Sequence, residues 1–251
     1  MPATTIDEVI SQLETIIADC ARTGSTAGYF AALYHNVTCR VKQGILNKEF
    51  EDNARMERLD VIFASRYLTA YNQWKAKQPT TTSWATAFAA TEKGSPIVLQ
   101  HLLAGMNAHI NLDLGIAAVE VMAGSNFPDI QKDFNAINTV LAAMVYQVIR
   151  NLDRVSPLLS LLGLHATNDN EMLIGFTIDN ARDGAWCFAE ELSKTTGNDY
   201  TTCITTRDTV INGLATNIIR PSVWPIRITL GIVHLFEWHN ASKIINVLSK
   251  A

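Results

Sequence analysis

The chain has 251 residues, 48% of them hydrophobic and 18% charged, which is enough apolar material for a sizeable core. A formal charge of −4 and a pI near 5.9 disfavour a nucleic-acid partner, which requires a basic face. The first residues lack a secretory signal, the four cysteines are scattered, and no lysine–arginine run indicates a membrane surface. We therefore expect a cytoplasmic protein with reduced thiols and no nucleic-acid or membrane partner.

Helical spacing of apolar residues dominates the N-terminal part of the chain, and no segment shows the alternation of a strand. The pattern predicts helices over residues 5–22 and 29–45. A third predicted helix begins at Asp52 or Asn53, which would cap it, and runs to about Lys77. A short helix over residues 84–91 follows.

The next predicted helix, residues 96–123, is apolar almost all the way round and should therefore lie inside the protein. Pro96 falls near its first turn and Gly124 follows its end. It is long enough to span a bilayer, but the two histidines, two asparagines, aspartate and glutamate inside it make that use unfavourable. They are His101, Asn107, His109, Asn111, Asp113 and Glu120.

In the C-terminal part the same periodicity predicts helices over residues 129–154, 170–194 and 226–248, with a shorter piece over residues 156–163. The threonine-rich residues 195–206 are predicted to form a loop. Trp186, Trp224 and Trp238 are expected to pack in the core. No repeat or linker divides the chain. We therefore predict one all-α domain over residues 1–251, a bundle of about eight to ten helices around residues 96–123.

His109 and Asp113 lie one turn apart on the same face of the predicted buried helix, close enough to bind one metal ion together. Ionisable groups in such a place are costly unless they are paired or bound to a metal. His101 lies about 12 Å along the helix axis from His109 and cannot share a single-ion site with that pair. Further ligands would have to come from other helices.

The final predicted helix offers such ligands, because Glu237 lies in the middle of its apolar stripe and His234 lies beside it on the same face. Arg66 falls near the centre of the apolar stripe of the third helix, with Asp60 at its edge. Arg182 borders the stripe of the helix over residues 170–194.

Three interpretations of these residues remain open. In the first, His109, Asp113, His234 and Glu237 bind a divalent metal (Zn, Fe, Mn or Ni) that activates water, and Arg66 or Arg182 holds an anionic substrate. In the second, the same groups form a metal-free acid–base site in a helical cavity. In the third, they form a structural network that only determines helix packing, for instance Arg66 with Asp113 and Glu237.

With these residues in view, the chain resembles the uncharacterised bacterial family called domain of unknown function family 5995. The resemblance covers most of the chain, and its central stretch, which contains His109 to Asp113, is fairly specific. The matching stretches are residues 34–38, 55–67, 96–118, 133–138 and 181–186. The family implies a helical protein but no established activity.

A weaker resemblance links His109 and Asp113 to the zinc-dependent phospholipases C and related helical nucleases, whose metal ligands include a histidine and an aspartate at this spacing. Those enzymes place a further histidine shortly after the aspartate, and residues 114–122 contain none. The resemblance therefore does not extend to a trinuclear zinc site.

The function we expect from the sequence is metal-assisted hydrolysis of a small, partly apolar substrate in a buried polar cavity. Arg66 would stabilise negative charge, while Asp60 or His101 would transfer protons. One alternative is a metal-dependent lyase or cyclase that acts on an apolar substrate. The other is a non-catalytic helical binding or scaffold protein whose polar core is structural.

Overall fold

The computed structural model describes residues 2–162 and 178–250, which are mostly helical and include no β-strand. This confirms the all-α fold. The α-helices within these ranges, in chain order, are α1 (Ile6–Thr23), α2 (Gly28–Leu46), α3 (Asn53–Lys75), α4 (Thr82–Thr91), α5 (Val98–Ala108), α6 (Leu114–Val121), α7 (Gln131–Val155), α8 (Ile178–Leu192), α9 (Gly197–Ile219), α10 (Trp224–Phe236) and α11 (Ala241–Leu248).

Local capping signals set the first helices where the sequence predicts them. Thr5 accepts a hydrogen bond from the backbone N–H of Glu8 at the start of α1, and Asp52 accepts one from Arg55 at the start of α3. Gly24, at φ 70°, ends α1 in the left-handed conformation that glycine adopts without strain. These helix boundaries depend only on residues close together in the sequence, so they can be predicted from the sequence alone.

The central helix is confirmed as buried. α5, a π-helical turn (His109–Asp113) and α6 form one continuous rod, Val98–Val121. By length and composition this rod could cross a bilayer, but 83% of its most apolar window is buried inside the protein. Helices α2, α4 and α9 pack around its first half, and α3 and α8 pack around its second half.

Two segments differ from the sequence-based prediction. Residues 226–248 do not form one helix, because the backbone is extended at Glu237 (ψ 153°) and separates α10 from α11. The threonine-rich residues 195–206 were predicted as a loop, but most of them lie in α9. There the hydroxyls of Thr205 and Thr209 donate to backbone carbonyls one turn earlier, so these hydroxyl groups find hydrogen-bond acceptors within the helix itself. The predicted start of the helix over residues 170–194 lies outside the described residues, and so does Gly163, the last residue of the shorter piece predicted over residues 156–163.

Buried carboxylates from distant parts of the chain hold several backbone segments in place. Asp208 of α9 accepts hydrogen bonds from the backbone and hydroxyl groups of Thr82 and Ser83, so it caps α4 across the bundle. Asp133 of α7 accepts from the backbone N–H groups of Glu51 and Asp52, just before α3. These bonds join the helices that surround the central rod.

Candidate functional site: a polar wall in an apolar cavity

Asp113, at the end of the π turn, is the centre of a hydrogen-bond network inside the bundle. Arg66 Nε donates to its Oδ1 at 2.9 Å, and Trp84 Nε1 donates to its Oδ2 at 2.8 Å. His109 Nδ1 lies 3.4 Å from the same Oδ2. Arg66 also donates to the more exposed Glu120 at 3.4 Å. Both oxygens of Asp113 are therefore engaged, and the adjacent guanidinium would repel a cation.

This network orients His109 and selects its tautomer. A carboxylate only accepts hydrogen bonds, so His109 Nδ1 carries the hydrogen that faces Asp113 and Nε2 keeps a lone pair. The imidazole stacks on Phe63 at a centroid distance of 3.6 Å, and Tyr34 packs edge-on at 4.4 Å. Burial lowers the pKa of His109 despite the opposing effect of Asp113. The ring is therefore neutral near neutral pH, and its Nε2 lone pair can accept a hydrogen bond.

An apolar cavity of about 180 Å³ lies beside His109, between the central rod and helices α2, α3 and α7. Its lining on the rod extends from Leu99 to Leu114, a rise of about 22 Å, so the cavity is long and narrow. For comparison, an engineered apolar cavity of about 150 Å³ holds a benzene molecule. The polar side chains among its described lining residues are Tyr34, Asp60, His109 and Arg182.

Three of these side chains, Tyr34, Asp60 and His109, form what we call the polar wall. Each is almost fully buried, and each has a polar atom without a hydrogen-bond partner among the described residues: the Tyr34 hydroxyl, Asp60 Oδ2 and His109 Nε2. Buried polar groups without partners are rare in proteins because each costs free energy. Three on the wall of one apolar cavity therefore make this wall a candidate binding site.

The electrostatics of the polar wall keep it close to neutral. Burial, with a contribution from the nearby negative charge of Glu57, raises the pKa of Asp60 to about 7. Burial and then the negative charge of Asp60 raise the pKa of Tyr34 well above its usual value, against a smaller opposing effect of the nearby Thr38 hydroxyl. The wall thus presents a neutral hydroxyl, a carboxyl that titrates near neutral pH and an imidazole lone pair.

The two arginines expected to hold an anionic substrate lie in different places. Arg182 of α8 borders the cavity, donates to the backbone oxygen of Phe134 and lies with its guanidinium carbon 4.5 Å from the centroid of that ring. Arg66 does not line the cavity. It borders a separate polar cleft of about 570 Å³, together with Gln73, Asp113 and Glu120.

Glu237 does not join His109 and Asp113. Its carboxylate accepts hydrogen bonds from the backbone N–H of Val98, at the start of α5, and from the hydroxyl of Ser156. Val98 lies about 16 Å along the rod axis from His109. Burial raises the pKa of Glu237 to about 7, although its two donors oppose that rise. Glu237 therefore caps the N-terminal end of the central rod.

His234 and His101 also lie away from the polar wall. His234 is half-buried on α10 and packs against His239 at a ring centroid distance of 5.0 Å. His101 borders a separate small cavity of about 20 Å³, and burial lowers its pKa to about 4. His101 is therefore not placed to exchange protons with the polar wall.

The predicted four-ligand metal site is not formed by the part of the chain that the structure describes. Within it, no three histidine, cysteine, aspartate or glutamate side chains come together as a metal site. The break at Glu237 directs that carboxylate to Val98, while Arg66 and Trp84 engage Asp113. The alternative of a structural network is closer to what is seen, except that the second partner of Arg66 is Glu120 rather than Glu237.

The fold and this site define an all-α, single-domain protein with a partly polar internal cavity. The chain belongs to the Family of unknown function (DUF5995), whose model matches residues 6–221. This confirms the resemblance seen in the sequence. No curated protein matches the chain, and no solved structure does. The family states no activity, so a function has to be argued from the site itself.

Sequence reasoning missed Tyr34, Phe63 and Trp84 as members of the site. Tyr34 and Phe63 lie in stretches that resemble the family, but their aromatic side chains suit an ordinary core equally well. Trp84 belongs to a short helix in which no charged residue lies beside it. The available signal was the need of buried Asp113 for several N–H donors, which a tryptophan supplies.

Proposed function

We propose that this protein binds an elongated apolar molecule that carries one hydroxyl group, with the hydroxyl at the polar wall and the chain along the cavity. The observation that carries the proposal is the set of three unpartnered polar atoms, on Tyr34, Asp60 and His109, in an otherwise apolar cavity. Ligand sites typically combine an apolar lining with a few polar groups that orient the ligand.

A hydroxyl suits this wall better than an anion does. It can donate to the lone pair of His109 Nε2 and accept from the Tyr34 hydroxyl, and it adds no negative charge beside Asp60. A carboxylate head group would meet the charge of Asp60 once the pH exceeds about 7, the pKa of that group. Long-chain alcohols are therefore favoured over the corresponding carboxylates.

The test is direct binding of a fluorescent long-chain alcohol, with the matched alkane and carboxylate as competitors. We expect the alcohol to compete best, and Tyr34→Phe to weaken alcohol binding about tenfold while leaving alkane binding unchanged. Tyr71→Phe is the matched control, because this buried hydroxyl contacts Cys20 and does not line the cavity. Equal competition by alcohol and alkane, or equal losses in the two variants, would refute the proposal.

A second candidate function is acid–base elimination of water from such an alcohol, which corresponds to a lyase. Two observations favour it. The pairing of Asp113 with His109 Nδ1 leaves His109 Nε2 free to act as a base. Asp60, on the same polar wall, has a pKa of about 7, which suits an acid. His109 would take a proton from carbon, the C–O bond would break, and Asp60 would protonate the departing hydroxyl as water. An alkene would remain.

Incubation with a bound alcohol, followed by mass spectrometry, tests this second candidate. An alkene that forms with the natural protein and not with His109→Gln supports elimination. Recovery of unchanged alcohol from a protein that binds it would leave binding as the function and exclude elimination. The metal-dependent hydrolase expected from the sequence gains no support from the donor geometry, because Asp113 and Glu237 are both engaged elsewhere.

A further inference from the structure

Helix α10 is apolar on two opposite faces, and only one of them packs against the rest of residues 2–162 and 178–250. Leu230 and Val233 are buried, whereas five large apolar side chains on the other face are exposed. At 100° per residue these five occupy an arc of about 120°. They are Trp224 (67% exposed), Ile228 (50%), Ile232 (39%), Leu235 (73%) and Phe236 (61%). We call this set the α10 face.

The α10 face departs from the expectation that Trp224 and Trp238 pack in the core, since Trp238 is also 39% exposed. Single exposed apolar residues are ordinary on a protein surface, but a continuous stripe along one helix indicates an interaction surface. Tryptophan at such a surface is typical of the boundary between water and lipid.

The charge around α10 is opposite in sign to that of the rest of the protein. Residues 209–251 carry four lysines and arginines and one acidic residue, Glu237, whereas residues 1–208 carry sixteen and twenty-three. Glu237 is buried against Val98, so it offers little negative charge to the surface. Arg220 and Arg227 are exposed next to the α10 face, and Arg227 projects about 60° from Trp224 around the helix axis. Positive charge therefore lies along one edge of the apolar stripe and just before the start of α10.

We infer that the α10 face docks on an anionic phospholipid membrane, with the helix lying in the plane of the surface. In that position the apolar side chains enter the boundary between headgroups and acyl chains, and Arg220 and Arg227 contact lipid phosphates. The inference is independent of the ligand proposed above and departs from the expectation of no membrane partner.

A second copy of this chain fits the α10 face less well than a membrane does. The helix of 13 residues offers a strip about 20 Å long and about 10 Å wide, while a stable protein interface buries roughly 800 Å² on each partner. Symmetric pairing would also bring the arginines of two positively charged regions together. An anionic membrane buries the same apolar side chains among its lipids, and its phosphates neutralise the charge of the arginines.

The position of α10 connects this surface to the cavity. Glu237, directly after α10, bonds to Val98, and the next residue of the rod, Leu99, lines the cavity. The backbone N–H of Trp238 donates to the backbone oxygen of Val155 at 2.9 Å, at the end of α7, whose Leu152 also lines the cavity. A docked protein would thus hold one end of its cavity near the bilayer, where long apolar molecules reside.

Vesicle flotation tests this inference with phosphatidylglycerol-containing vesicles compared with pure phosphatidylcholine vesicles. We expect binding to the anionic vesicles, reduced by high salt. Replacing Trp224, Leu235 and Phe236 together by serine should weaken it at least about a hundredfold. Arg220→Gln and Arg227→Gln should each weaken it about fivefold. The matched control replaces Leu46, Val210 and Leu214, which are similarly exposed on α2 and α9, by serine and should bind like the natural protein.

Two results would overturn the membrane assignment. One is the absence of vesicle binding by the natural protein, or equal binding by the serine variant of α10 and its control. The other is a dimer in light scattering that the α10 variant alone converts to a monomer, without vesicle binding, which would assign the face to a second copy. Because all replaced side chains are exposed, circular dichroism should show unchanged helicity in every variant.

Discussion

Asp113 and Asp60 are both nearly fully buried carboxylates, but the fold gives hydrogen-bond donors to the first and leaves an oxygen of the second without one. Asp113 accepts hydrogen bonds from Arg66 and Trp84 and contacts His109, so its charge is compensated from several directions. Asp60, on the same helix as Arg66, keeps one oxygen without a partner and a raised pKa. The comparison shows that burial alone does not mark a functional group. The unmet hydrogen-bonding capacity of Asp60 is what separates it from a structural carboxylate.

The largest effect that tests this comparison is the cost of removing each carboxylate. Asp113→Ala leaves Arg66, Trp84 Nε1 and His109 Nδ1 without their acceptor, so the free energy of unfolding should fall by about 3 kcal/mol. Urea unfolding measures it. Asp60→Asn, at a site where one oxygen already lacks a partner, should cost less than about 1 kcal/mol. Similar losses in the two variants would show that Asp60 is as structural as Asp113.

The pH dependence of stability should also distinguish Asp60. Its pKa in the folded protein, about 7, lies above the value of about 3.9 expected when unfolded, so the folded state binds the proton more tightly. Its contribution to stability is therefore complete below about pH 4 and is lost as the pH rises through 7. Each pH unit within that window costs at most about 1.4 kcal/mol.

Urea unfolding of the natural protein and Asp60→Asn at pH values across this window provides the measurement. Glu237 has a raised pKa of about 7 as well, so a shallower dependence of the same sign should remain in the variant. Parallel pH profiles for the two proteins would mean that Asp60 does not titrate in the folded state as its burial implies.

A smaller effect separates ligand binding from stability at the polar wall. Tyr34→Phe removes a buried hydroxyl that has no partner, so the free energy of unfolding without ligand should stay unchanged or rise by up to about 1 kcal/mol. The same variant should lose alcohol affinity. Thermal unfolding with and without added alcohol measures both, and a clear loss of stability in the ligand-free variant would indicate that the hydroxyl is structural.

The smallest effect concerns the second partner of Arg66. Glu120→Gln breaks an ion pair of 3.4 Å whose carboxylate side chain is 43% exposed, so the free energy of unfolding should change by less than about 0.5 kcal/mol. The same urea titration used for Asp113→Ala provides the measurement. A loss close to that of Asp113→Ala would mean that Arg66 depends on Glu120 as much as on the buried carboxylate.

Much of the fold was predictable because helix periodicity and caps act over a few residues. Thr5, Gly24 and Asp52 mark boundaries by themselves, and the near-continuous apolar surface of Val98–Val121 predicts its burial. Prediction failed at Glu237, where the apolar stripe of residues 226–248 continues but the carboxylate turns to cap α5. That cap joins residues 139 positions apart, which no local pattern reveals.

The candidate site was predictable only in part, for the same reason. The spacing of His109 and Asp113 correctly places them together on the central rod, and their burial was foreseen. The sequence alone determined that this polar pair lies inside an all-α bundle, because amphipathic periodicity and the cost of burying charge are local properties. Tertiary structure decided that Arg66 and Trp84 engage Asp113, that Tyr34 and Asp60 face the same cavity as His109, and that α10 leaves an apolar face exposed. These are contacts between helices far apart in the chain, and their geometry depends on how the helices pack.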